Sequence, residues 1–310
     1  MPANAQSIIL HQYDISPFSE KVRTVLGIKG LEWYACEQPV IMPKPELIPL
    51  TGGYRKIPVM QIGADIYCDS QVIIRELERR FPSPSIYVGS DAGLGWAFNI
   101  WADRSVFQAA VAIIFGNATG FANEAFKKDR EALSGRPFDT DAMKAAAPLM
   151  AEQFRAHLDL IEQQLSDDRR FLMGDKPGLA DASAYYNILF VRWIYPTGLN
   201  LLGSMPRVAE WEKRVKAIGH GMRHEMGRGE ALDIAKAASS TEKPRTDPNE
   251  PNGLKTGDRV TVMADDYGRD PIVGELVSSS AQHIAIKRAD TRVGDVVVHF
   301  PRAGFFVIKS

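Results

Sequence analysis

The sequence predicts three consecutive parts: an α/β half-domain, an all-helical block and a small all-β domain. Three observations carry this. Up to Pro84, strand-length apolar runs alternate with helical spacings. From Asp91 to Lys236 the chain is rich in Ala, Leu, Glu and Arg, and no convincing strand is visible. Strand-length runs return from Leu254, after a stretch (AASSTEKPRTDPNEPNG) with three prolines and almost no large apolar residues. The predicted boundaries are therefore 1–84, 91–236, a mobile linker at 237–253, and 254–310.

In the first part, SIILHQ (Ser7–Gln12) has strand length, and Pro17–Lys29 carries Val22, Val25 and Leu26 at helical spacing with Gly30 as a stop. Glu32–Cys36 is a second strand. Pro58–Ile62 and Asp65–Cys68 flank Gly63-Ala64 as a hairpin, and Ser70–Phe81 is a helix ended by Pro82 and Pro84. In the middle part, Met143–Leu165 and Leu179–Tyr195 read as long helices, and Pro206 opens another at the favoured first position. In the last part, RVTVMA, PIVGELV, HIAIKRA, VVVHF and GFFVIKS predict about five antiparallel strands in a barrel or sandwich, read as a tethered accessory domain.

At 310 residues the chain suits two or three domains. A net charge of −1 gives no footprint for nucleic acid or a membrane surface. Two cysteines, Cys36 and Cys68, make no disulfide framework and point to a reducing compartment. No apolar run approaches the roughly 18 residues of a membrane span, and the first residues lack a basic, then apolar, leader pattern. A cytoplasmic location is the expectation. His283 and His299 have no cysteine with them, so no metal site is predicted.

Three local signals bear on chemistry. In Tyr13-Asp-Ile-Ser-Pro-Phe-Ser, a strand leads to Ser16 at a helix cap and Pro17 at the first helical position. A helix start offers free N–H groups and partial positive charge, which favour an anion such as a thiolate. An ordinary serine cap explains the same residues. Lys56-Ile57-Pro58-Val59 puts a proline at a strand start, where a cis Ile57–Pro58 bond would present the main chain of Ile57 to an extended peptide; a trans edge proline is the plainer alternative. In Cys68-Asp69-Ser70, Ser70 suits a helix cap able to hold a carboxylate, and Asp69 suits an ammonium group.

In this order and spacing the three signals resemble the glutathione S-transferase family. SPFSEKVRTVLGIKG and KIPVMQIGADIYCDSQVI are similar to serine-type members of the plant tau class and related bacterial proteins. PGLADASAYY and MPRVAEWEKRV resemble later segments of the family; the β-rich end has no counterpart in the resemblance. The resemblance implies a thioredoxin-like N-terminal domain, a helical C-terminal domain, and glutathione as co-substrate without a metal. It implies a small electrophilic partner, a detoxification role and a homodimer. Residue by residue, it implies Ser16 as the catalytic hydroxyl, and Ile57 with Pro58 as the site of main-chain pairing. Asp69 and Ser70 would hold the γ-glutamyl end, and Lys56, or Lys44, the glycyl carboxylate. Trp101, Phe107 and Tyr185 are candidates for the electrophile side, and Asp181 for a buried helix cap. Two other readings stand beside it. A thiol–disulfide enzyme needs a cysteine where Ser16 and Ser19 stand. A non-catalytic binding or assembly protein would use the same fold.

Overall fold

A computed structural model describes residues 3–89, 92–117, 122–195, 200 and 202–310. Met1 and Asp91, on which two predicted boundaries fall, lie outside the described residues. The first segment comprises β1 (Ile9–Gln12), α1 (Pro17–Ile28), β2 (Glu32–Glu37), α2 (Ile48–Thr51), β3 (Val59–Ile62), β4 (Asp65–Cys68) and α3 (Ser70–Arg80). Strand β1 pairs parallel with β2 and antiparallel with β3, and β3 turns back into β4. Helix α1 ends where Gly30 takes a left-handed φ of 61°. Its Val22, Val25 and Leu26 pack with Leu10, Met60 and Ile73 in one buried cluster, which holds α1 and α3 against the sheet.

The helical segment contains α4 (Ala92–Trp101), a π-helical turn (Ala102–Val106), α5 (Phe107–Asn117), α6 (Glu124–Ser134), α7 (Thr140–Gln164), α8 (Leu179–Ile194) and α9 (Pro206–Lys216). Helix α7 starts three residues before the predicted Met143, because the Asp139 carboxylate accepts from the N–H groups of Asp141 and Ala142. At the start of α8, Asp181 accepts from Gly178 N, Leu172 N and Trp211 Nε1 at 2.9, 2.9 and 2.7 Å. Gly178 has no side chain to reciprocate, so half of a capping box is built. Burial pushes the Asp181 carboxyl up to about 6 against these donors.

The helical block is followed by a strand that the sequence does not reveal. After α9 come β5 (Met222–Glu225) and α10 (Arg228–Ala237), and β5 pairs parallel with β2 at the sheet edge. All four residues of β5 are exposed, so its sequence, MRHE, has no apolar alternation to read. Main-chain bonds from Met222 N to Leu31 O and from Met226 N to Ala35 O hold it in place.

The last segment forms β6 (Arg259–Ala264), β7 (Ile272–Ser279), β8 (His283–Asp290), β9 (Gly294–Pro301) and β10 (Phe305–Lys309). Its five strands are not tethered apart. Strand β9 pairs parallel with β4, joining both segments in one ten-stranded sheet of order β10-β6-β7-β8-β9-β4-β3-β1-β2-β5. Leu50, Val59, Ile66 and Cys68 share a core with Val262, Ile286, Val298 and Phe300. The four-residue strand β4 is buried along its length, and β9 supplies the backbone partner its outer edge requires. The stretch expected to be a mobile linker is also held. The Ser240 hydroxyl donates to Asp65, Thr241 N and Oγ1 donate to Asp65 Oδ2 at 3.0 and 2.8 Å, and Arg245 N donates to Val277 O.

Asp65 also ends a buried relay. His299 Nε2 lies 3.3 Å from Asp65 Oδ1, and His299 Nδ1 lies 2.9 Å from His283 Nε2. Burial, with His299 beside it, holds His283 at about 3, and burial holds His11 at about 4. Burial acts to raise Asp65, but hydrogen bonds from His299 and Ser240 bring it down to about 2. Both histidine values lie below the ordinary 6.5. Their stabilising effect is therefore complete above that pH and is lost as pH falls, because only the unfolded chain takes up the protons. Stability should fall by on the order of 1 kcal/mol per histidine per pH unit between about pH 6 and 4.5. Denaturant melts across that range check this, with His283→Gln expected to reduce the slope; an unchanged slope in that variant would remove His283 from the explanation.

Candidate active site where three segments meet

The site begins at the N-terminus of α1. Ser16 has an extended backbone, and its N–H donates to Tyr13 O at 2.9 Å, which turns the chain out of β1. Ser16 Oγ accepts from Ser19 N at 3.2 Å, and Pro17 fills the first helical position without an orphaned N–H. A hydroxyl that accepts this bond still has its own hydrogen to donate. Ser16 is 1% exposed and lines an open cavity of about 290 Å³.

The Ile57–Pro58 bond is cis. The β1–β3 ladder stops at Val59, so Ile57 lies beyond the last paired residue and on the cavity wall. The cap of α3 differs from the sequence expectation. Asp69, not Ser70, is the N-cap: it adopts a left-handed φ of 92°, and its Oδ1 accepts from Gln71 N at 2.8 Å. With a ψ of 140° this is a strained backbone for a residue with a side chain, and the bond from Gln71 N to Asp69 Oδ1 helps to hold it. Ser70 becomes the first helical residue, buried at 4% exposure. Burial raises the Asp69 carboxyl, against the Gln71 N–H and the charges of Lys21 and Lys56.

Ser70, Asp69 and Gln71 line a second, polar cavity of about 90 Å³. Phe18, Lys56, Ile57 and Tyr267 line both cavities, so the two are halves of one cleft. The larger half is walled by Phe107, Phe115, Phe126, Phe138 and Phe190 of the helical segment, with ring pairs such as Phe115–Phe138 at 5.1 Å. Its polar rim includes Lys44 and Arg130. Lys44 is 4% exposed, and burial, with Arg130 nearby, lowers its ammonium to about 8. That ammonium donates to Arg55 O at 3.0 Å.

Of the residues singled out in the sequence, Ser16, Ile57, Pro58, Asp69, Ser70, Lys44, Lys56 and Phe107 line this cleft. Trp101 and Tyr185 do not. Tyr185 is 2% exposed in the helical core, and Trp101 packs edge-on to Phe98 and His157. Lys56 is in the cleft with its ammonium engaged: it donates to Asp266 Oδ1 at 3.0 Å and Tyr267 O at 2.9 Å. Arg130 and Tyr267 are cleft residues that the sequence does not single out, and Tyr13, which opens the first motif, also lines the cleft. Arg130 stands outside the three motifs, and Tyr267 comes from a segment whose place in the fold is set by long-range pairing. Cys36 and Cys68 are buried; burial raises the first thiol to about 12 and the second well above its ordinary value. Neither is a reactive thiolate.

Chemically, the cleft offers a hydroxyl donor at a helix N-terminus, an unpaired stretch of main chain and a carboxylate beside a second helix N-terminus. An aromatic wall faces them. Comparison with known proteins gives the family of the fold that carries this cleft. Residues 10–85 match the family description "Glutathione S-transferase, N-terminal domain", and residues 129–214 match "Glutathione S-transferase, C-terminal domain". A crystal structure of a GST-like protein from Pseudomonas syringae is 34% identical, with a TM-score of 0.82, and covers 98% of this chain and 100% of its own, so the likeness takes in the β-rich tail. A probable glutathione S-transferase of Oryza sativa subsp. indica is 25% identical over 72% of this chain and 90% of its own length. One of Nicotiana tabacum is 24% identical over 54% of this chain, which spans 64% of that relative's length. With both family domains matched and a full-length structural relative of this similarity, the chain belongs to the glutathione S-transferase family.

Proposed function

We propose that this chain is a serine-type glutathione transferase that joins the glutathione sulfur to a small, flat, apolar electrophile. The observation that carries the reading is the convergence of the Ser16-capped start of α1, the cis Ile57–Pro58 bond and the start of α3 on one cleft. In this reading the Ile57 main chain pairs with the cysteinyl part of glutathione. The γ-glutamyl carboxylate meets Ser70 and the first N–H groups of α3, and its ammonium meets Asp69. Lys56 is occupied by the tail, so Lys44 takes the glycyl carboxylate. The Ser16 hydroxyl donates to the sulfur. A free thiol has a pKa of about 8.5, and a two-unit drop needs about 2.7 kcal/mol of preferential thiolate stabilisation. One hydroxyl donor to an anion plus the α1 N-terminus supply that order of energy.

The thiol proton leaves to solvent on binding. The thiolate then forms a sulfur–carbon bond as the leaving group departs with its electron pair, and the aromatic wall holds the two reactants together. The test is a titration of bound glutathione by thiolate absorbance, followed by turnover of an activated chloronitroarene. A bound thiol pKa near 6.5, about two units below the free value, with measurable turnover, supports the reading. A lowered pKa without turnover of any electrophile in a broad panel would instead favour a glutathione-binding or assembly protein.

A further inference from the structure

The loop between β6 and β7 leaves the tail and closes over the cleft. Arg104 Nη2, from the π-helical turn, donates to both oxygens of Asp265 at 2.9 and 3.1 Å. Lys56 holds Asp266 and the Tyr267 carbonyl, and its ammonium lies 4.6 Å from the centre of the Tyr267 ring. Gly268 N donates to Leu133 O at 2.7 Å on α6. Gly268 has a left-handed φ of 63°, and a Cβ there would meet Leu133 Cδ1 at 2.8 Å. The loop is thus fixed to both the α/β and the helical segments, with Tyr267 between them.

Tyr267 lines both halves of the cleft, as does Ile57, and the larger half also contains Ser16. Among the described residues, no hydrogen bond uses the Tyr267 hydroxyl. Tyr267 is half-buried, and a phenol on a cavity wall without a protein acceptor keeps its hydrogen to donate to what fills the cleft. We propose that Tyr267 is a second hydroxyl donor to the sulfur of bound glutathione, supplied by the β-rich tail, so that the tail is part of the active site. This rests on the glutathione reading above. Burial, with Asp266 and Tyr13 nearby, raises the phenol, so it keeps its proton at neutral pH and donates rather than competes as an anion.

The test uses the full chain with Tyr267→Phe, which keeps the ring over Lys56 and removes only the oxygen. The thiol pKa of bound glutathione, its Kd and turnover are measured for wild type, Tyr267→Phe, Ser16→Ala and the double variant. The expected result for Tyr267→Phe is a thiol pKa raised by about one unit, the equivalent of a tenfold weaker preference for the thiolate. Measured at about pH 6, where most of the bound thiol is protonated, its Kd for glutathione should stay within about twofold, since the hydrogen bond strengthens mainly after the thiol ionises. The double variant should exceed either single variant in thiol pKa. An unchanged thiol pKa and turnover in Tyr267→Phe would overturn the proposal. Wild-type protein that binds no glutathione would overturn the underlying reading, and that outcome is read before any variant is made.

Discussion

Replacing Ser16 with alanine is expected to lower turnover by about tenfold while glutathione affinity stays within about threefold. The factor follows from a hydroxyl share of about 1.4 kcal/mol in the roughly 2.7 kcal/mol that shifts the thiol by two units, the helix start and the remaining donors supplying the rest. Below the bound pKa of about 6.5, where bound glutathione is mostly thiol, a bond made more strongly to the thiolate acts on the reactive species and much less on ground-state binding. The side chain also caps α1, and its removal should destabilise the fold by about 1 kcal/mol. Ser16→Gly separates the two effects, because glycine at a cap costs only a few tenths of a kcal/mol while lacking the hydroxyl. Steady-state kinetics and denaturant melts on both variants check this. Turnover retained by Ser16→Gly would assign Ser16 to capping alone.

Removal of residues 254–310 is expected to abolish folding of the remainder. The truncation would strip β9 from β4 and expose the shared core around Leu50, Val59, Ile66 and Cys68. An unpaired buried strand edge and an apolar face are a template for aggregation. A milder probe is Phe300→Ala. Phe300 is fully buried, 6.2 Å from Tyr54 and 5.4 Å from Phe305, and its truncation should cost about 3–5 kcal/mol. Size-exclusion profiles of the truncated chain and melts of Phe300→Ala measure both. A monomeric truncated chain with native circular dichroism would contradict the shared core.

What the sequence makes legible is set by how local the determining physics is. Helix α1 reads correctly because its cap, proline and stop glycine lie within one short segment. The β3–β4 hairpin reads from adjacent strands and the Gly63-Ala64 turn. Strand β5 does not, because an exposed edge strand of polar residues obtains its order from β2 rather than from its own pattern. The junction of β4 with β9 is equally silent: the Asp65–His299 contact spans 234 residues of sequence, and no periodicity encodes a parallel pairing. The α3 cap shows a finer limit. Asp69 and Ser70 are both good cap residues, and only the left-handed φ of Asp69 decides between them.

The candidate site divides in the same way. Ser16, Ile57, Pro58, Asp69 and Ser70 sit in short motifs, and all five line the cleft. Lys56 was legible as a cation near a strand start, but its partners Asp266 and Tyr267 lie more than two hundred residues further on. The aromatic wall was less legible still. Phenylalanines spaced along a helix have the same pattern whether they fill a core or face a cavity, so Phe107 lines the cleft while Tyr185 packs into the core.

Titration calorimetry with glutathione tests the central claim most directly, with wild type beside Ser16→Ala and Ser70→Ala. The predicted result is saturable binding by wild type, nearly unchanged in Ser16→Ala and weakened about tenfold in Ser70→Ala through loss of one hydrogen bond to a charged carboxylate. Absence of glutathione binding by the wild-type chain would contradict the account, leaving the family fold without the proposed chemistry.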